Sequence, residues 1–112
     1  MKKLLAPYKG IMDHFELTEE RVKSYGKKLF DDSKTRWDST APENKINKVI
    51  TFNKIMKEDI ATLQTVAQTL DGSDYSAYEM VDMALCRRYA AKVFIKYVEK
   101  SDPSLAKSLI LI

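Results

Sequence analysis

Residues 40–70 read Thr40-Ala41-Pro42-Glu43-Asn44-Lys45-Ile46-Asn47-Lys48-Val49-Ile50-Thr51-Phe52-Asn53-Lys54-Ile55-Met56-Lys57-Glu58-Asp59-Ile60-Ala61-Thr62-Leu63-Gln64-Thr65-Val66-Ala67-Gln68-Thr69-Leu70, and this stretch decides the fold. Ile46, Val49, Asn53, Met56, Ile60, Leu63, Ala67 and Leu70 follow one another in alternating steps of three and four. That is the spacing of a helical seam. Ile50, Phe52 and Val66 widen it, as in a bundle rather than a bare two-stranded coil. Thr40 and Glu43 have the spacing of a capping box, Pro42 suits a first turn, and Gly72 is a natural left-handed terminator. The helix so bounded has about thirty residues and runs roughly 45 Å, against a usual length of about twelve residues. The seam fits two architectures. It is the spine of an intrachain bundle, or a self-association surface on which Asn53 pairs with its own copy and fixes register.

Helices are expected on both sides of this one. Leu4, Leu5, Tyr8, Ile11, Met12 and Phe15 recur at helical spacing, which predicts a short helix over about 7–16. Thr18 caps the next, with Glu19 and Glu20 in its first turn and Leu17 and Val22 placed as a hydrophobic staple. Val22, Tyr25, Leu29 and Phe30 form its apolar side, and it extends to about Trp37. Ser76 and Glu79 make a second candidate capping box before a helix running to about Lys100. Apolar residues almost encircle that helix, so it is central or covered on two sides. Asp102-Pro103 starts a last short helix. The predicted fold is all-α: one domain over 1–112, a small bundle of four to five helices, with helices 40–71 and 75–100 long and antiparallel.

Composition narrows function. The formal charge of +3 is spread along the chain without an acidic tail or basic arm, so nucleic acid is permitted and not demanded. Cys86 is the single cysteine, which excludes an intrachain disulfide and fits a reducing compartment. Met1-Lys2-Lys3-Leu4-Leu5-Ala6 looks like the opening of a signal peptide, but Pro7-Tyr8-Lys9 ends the apolar run too early. No stretch has the apolar length of a membrane span, so a cytoplasmic protein is expected. The abundance of lysine, isoleucine and asparagine points to an AT-rich bacterial or phage gene.

Little in the chain suggests catalysis. The one histidine, His14, with Asp13 and Glu16 beside it, reads as a surface or helix-end residue in preference to a metal ligand. Cys86 on an apolar helix has no imidazole near it in sequence and reads as a small buried hydrophobe. No glycine-rich phosphate loop or zinc or calcium spacing occurs. Cys86-Arg87-Arg88-Tyr89 shares its cysteine and second arginine with the Cys-x-Arg-Asp string of phycobiliproteins, but Tyr89 stands in place of the aspartate and four residues assign no family. No catalytic residue, cofactor or metal is expected.

Two surfaces stand out as contact candidates. Arg88, Lys92, Lys96 and Lys100 step by four along one helix side, with Arg87 at the start, and span about 18 Å. Arg36-Trp37 lies at a predicted helix end, and Trp and Arg are enriched at interface hot spots. The candidate partner-binding residues are therefore Arg36, Trp37, Arg87, Arg88, Lys92 and Lys96. The candidate oligomer seam is Ile46, Val49, Asn53, Met56, Ile60 and Leu63. The favoured function is a non-catalytic protein–protein interaction module, regulatory or adaptor in kind and homo-oligomeric. The alternative is a nucleic-acid or nucleotide-binding protein using the basic ridge.

Overall fold

A computed structural model describes residues 2–70 and 75–111. The order is α1 (Lys2–Leu5), a 3-10 turn (Ala6–Tyr8), α2 (Lys9–His14), α3 (Glu19–Asp38), a second 3-10 turn (Pro42–Asn44), α4 (Lys45–Gln68), α5 (Tyr78–Ser101) and α6 (Pro103–Ala106). The fold is the all-α bundle the sequence predicts. Its shape is a rod of 48 × 23 × 21 Å.

α5 is the axis. It carries ten buried residues, from Val81 to Val98, the largest set on any one helix. α4 runs antiparallel to it, since Asp59 meets Arg87 while Phe52 meets Phe94. α3 runs parallel to α5 and makes the more extensive packing with it: Arg21 meets Asp82, Gly26 meets Tyr89, and Phe30 meets Tyr97. The heart of the bundle is thus three helices, α3 and α4 both leaning on α5. The short terminal helices close the two ends. Leu5, Ile11, Met12 and Phe15 join Val22, Leu63, Val66, Val81 and Leu85 in one core. Ala106 and Leu109 join Trp37, Val49, Phe94 and Val98 in the other.

Helix ends show where local signals decide and where they do not. Thr18 Oγ1 accepts from the Arg21 backbone N–H at 3.2 Å, and Leu17 and Val22 are both buried, so that start forms as its sequence indicates. Asp102 accepts from Leu105 N–H and starts α6 in the same way. The Thr40–Glu43 capping box does not form. Thr40 Oγ1 instead donates to the Arg36 carbonyl at 2.7 Å, and Ser39 Oγ to that of Thr35 at 2.8 Å. Both hydroxyls finish α3, and α4 begins at Lys45 after the 3-10 turn with no side-chain cap. α5 likewise starts behind Ala77, without a side-chain cap from that residue. The Gly72 terminator lies outside the described residues; α4 ends at Gln68. α2 ends without glycine: Glu16 takes φ 56°, Leu17 N–H bonds the Met12 carbonyl, and Glu16 N–H bonds that of Asp13. This is a Schellman ending with a side chain in the left-handed position, held by burial of Leu17 and Met12.

The 46–70 seam divides. Val49, Met56 and Leu63 are buried within the chain, Asn53 and Ile60 are half-buried, and Ile46, Ala67 and Leu70 face outward. Asn53 is engaged by its own chain: its Nδ2 donates to the Ser108 carbonyl and its Oδ1 accepts from Ile110 N–H, both at 2.8 Å. This corrects the expectation that Asn53 pairs with its own copy. The amide pins the C-terminal segment and thereby seats Leu109 in the core.

Gly26 sets how closely α3 approaches α5. A Cβ there would lie 2.7 Å from Tyr89 Cδ1 and 2.9 Å from the Cys86 carbonyl oxygen, which is backbone and cannot turn away. Gly10 faces open space. The two glycines therefore predict opposite outcomes. Gly26→Ala should lose about 1–3 kcal/mol by overpacking, less the roughly 1 kcal/mol that alanine gains in a helix. Gly10→Ala should gain about 0.5–1 kcal/mol. Urea denaturation of both variants checks the pair, and equal signs would contradict the close approach.

Candidate functional site

α3 and α4 splay apart over α5 and leave a groove of about 290 Å³. Its floor is Ala90, Ala91 and Phe94 of α5. The two alanines are the reason it exists, because side chains that end at Cβ cannot fill the space between three helices. One wall is Leu29, Ser33, Arg36 and Trp37 of α3; the other is Lys48, Thr51, Phe52, Ile55 and Met56 of α4. From Lys48 to Met56 the wall is about 12 Å long, a little over two helical turns.

An aromatic trio closes one end. Trp37 meets Phe94 edge-on at 5.3 Å between ring centroids, and Phe52 stacks on Phe94 at 5.7 Å. Trp37 is otherwise buried, and the Lys45 ammonium sits 4.9 Å from its ring centroid. Arg87 closes the other end. Its guanidinium makes two hydrogen bonds to Asp59, 2.7 and 2.8 Å long, and the planar fork accounts for both carboxylate oxygens. Asp59 is 3% exposed, so this pair anchors Arg87 rather than leaving it for a partner. The exposed cations are Arg36, in the last turn of α3, and Lys48. Among the described residues, no carboxylate lines the groove.

The structure separates the six candidate partner-binding residues. Arg36, Trp37 and Arg87 come together in this groove. Lys92 and Lys96 lie on the opposite face of α5, in a cleft shared with Lys23. Arg88 belongs to neither: it is 4% exposed, with its guanidinium 5.3 Å from the Tyr8 ring centroid. The expected four-cation ridge is corrected accordingly. The N-terminal segment covers Arg88, and the solvated run starts at Lys92. Sequence reasoning missed Asp59, Lys48 and Phe52 as parts of the site. The signal for Asp59 was Arg87 itself, a cation on a nearly all-apolar helix that needs a buried counter-charge.

A second ion pair serves the fold. Arg21 binds Asp82 through two nitrogens, at 2.6 and 3.2 Å. The Cys86 thiol lies 3.6 Å from Asp82 Oδ1. Burial, aided by the Asp82 charge, pushes that thiol up to about 12 from its ordinary 9.0. It is therefore not a thiolate nucleophile near neutral pH. Because the folded chain holds this proton more tightly than the unfolded one, the thiol's contribution to stability is complete below about pH 9 and is lost as pH rises towards about 12. Cys86→Ala should flatten the alkaline limb of the stability–pH curve between those values. An unchanged limb would exclude Cys86 as its source.

Among the described residues there is no group of three metal-ligating side chains, and no helix is long and apolar enough to cross a membrane. No protein-family model, curated protein or solved structure matches this chain.

Proposed function

We propose that this chain is a non-catalytic protein-interaction module, regulatory or adaptor in kind, whose α3–α4 groove receives an acidic amphipathic helix of a partner protein. The observation that carries this reading is an apolar trough just over two turns long with Arg36 and Lys48 exposed on opposite walls and, among the described residues, no carboxylate in its lining. Apolar side chains spaced one helical turn apart fit such a trough. Flanking Glu or Asp would then meet Arg36 and Lys48, which speeds encounter and excludes basic partners. Trp37 is the sole tryptophan and lines the groove, so it reports occupancy directly.

The test is a titration with a designed acidic amphipathic peptide, followed by Trp37 fluorescence. Saturable binding that weakens with added salt is expected. Arg36→Glu combined with Lys48→Glu should weaken it at least tenfold while circular dichroism stays unchanged. A peptide that leaves Trp37 unperturbed, or binds the double variant as well as wild type, would overturn the assignment.

Self-association uses a different face. Ile46 and Ile50 are 52% and 61% exposed and lie one turn apart on α4, on the side away from the groove. We propose that they meet a second copy. An antiparallel twofold crossing centred near residue 48 sets Ile46 against Ile50 of the other copy and brings Glu43 towards its Lys54. Light scattering at micromolar concentration should give a dimer mass that Ile50→Lys reduces to a monomer. A monomer mass for wild type would defeat this proposal and leave the groove assignment untouched.

A further inference from the structure

The face of α5 opposite the groove carries a second cleft, of about 300 Å³, lined by Lys23 of α3 and by Tyr89, Lys92, Val93 and Lys96 of α5. We propose that it is a binding site for an anion bearing adjacent phosphoryl groups.

The argument starts from charge. Three lysines line one small volume, and among the described residues none of them is in an ion pair with a carboxylate. The two ion pairs among the described residues hold other cations: Arg21 has Asp82, and Arg87 has Asp59. Like charges held together cost free energy until a counter-charge arrives. Here packing brings their backbone positions together: Tyr89 lies against Gly26, so α3 runs close to α5 and Lys23 stands across the cleft from Lys92 and Lys96. Lys92 is half-buried in the cleft.

The chemistry of the donors selects the ligand. Lysine offers a compact point charge with three donors rather than a planar fork, which suits phosphoryl oxygens more than one bidentate carboxylate. Lys92 and Lys96 are one turn apart, about 6 Å along the helix. The flexible stems of Lys92 and Lys96 let each meet one of two neighbouring phosphoryl groups, with Lys23 on the other wall of the cleft. A free oligophosphate and the backbone of a single nucleic-acid strand share this chemistry. The site is independent of the groove proposal, because it lies on the other face of α5 and involves none of the same residues.

The experiment is a calorimetric titration of the full chain at two salt concentrations, with inorganic tripolyphosphate in one arm and a short oligothymidylate in the other. The variant Lys23→Gln/Lys92→Gln/Lys96→Gln should bind the favoured probe at least tenfold more weakly. The control Lys9→Gln/Lys57→Gln/Lys107→Gln removes the same charge from exposed sites outside the cleft and should stay within twofold of wild type. In the strand arm, each lost phosphate contact should lower the logarithmic salt slope by about one. Tripolyphosphate binding alone supports the site and identifies a compact oligophosphate; strand binding that tripolyphosphate displaces supports it and identifies backbone phosphates. Absence of saturable binding by both probes overturns it, as does equal weakening in the control. Lys96→Gln alone, at an exposed position, repeats the comparison if the triple variant is not folded by circular dichroism.

Discussion

Leu63→Ala should lower stability by about 2–5 kcal/mol, in the upper half of that range, because its surroundings cannot collapse into the space it leaves. Leu63 is fully buried, and Val22, Val81 and Leu85 in the same cluster are fully buried too. These come from α3 and α5, so the cavity would have walls on three helices that are themselves fixed by other contacts. Ile46→Ala, at another position of the same 3-4 seam but 52% exposed, should change monomer stability by no more than about 0.5 kcal/mol. Urea denaturation at a concentration where the chain is monomeric compares them directly. Similar costs at the two positions would mean that the seam, rather than burial within this chain, sets their energetics.

That pair marks what periodicity can and cannot reveal. A 3-4 pattern identifies the helix and its apolar side, and α4, α3 and α5 all form where such patterns lie. Helix starts that depend on residues three apart were equally readable at Thr18 and Asp102, since cap and capped group are local. Thr40 was misread because its hydroxyl had a competing local acceptor in the preceding helix. Asn53 and Arg88 were misread for a different reason. Their surroundings come from chain segments more than fifty residues away, Ser108 to Ile110 in one case and Tyr8 in the other. The groove is further still from the sequence. Ala90 and Ala91 make a floor only because α3 and α4 diverge above them. Nothing in the one-dimensional pattern states that divergence.

The second large effect concerns the ion pair at the end of the groove, and it should be strongly asymmetric. Arg87→Leu would strand the Asp59 carboxylate, whose side chain is 5% exposed, without either of its donors. Removing one partner of a buried pair costs about 3–5 kcal/mol, and the partly exposed Arg87 side of this pair brings the expectation down to about 3. Asp59→Leu leaves a different remainder. The Arg87 side chain is 39% exposed, so its guanidinium can turn into the groove and recover water, at a cost below about 1 kcal/mol. The double variant, with two apolar residues in contact, should resemble Asp59→Leu and not the sum of the two single changes. A double-mutant cycle in urea measures this, and additive losses would show that the pair is not coupled. The same cycle separates stability from binding. With Asp59 gone, Arg87 becomes a third free cation on the groove, so Asp59→Leu should bind the acidic peptide more tightly than wild type while the fold is little changed. Weaker binding by this variant would mean that Asp59 shapes the groove through its hold on Arg87, and that the rim charge of Arg36 and Lys48 is not what draws the ligand.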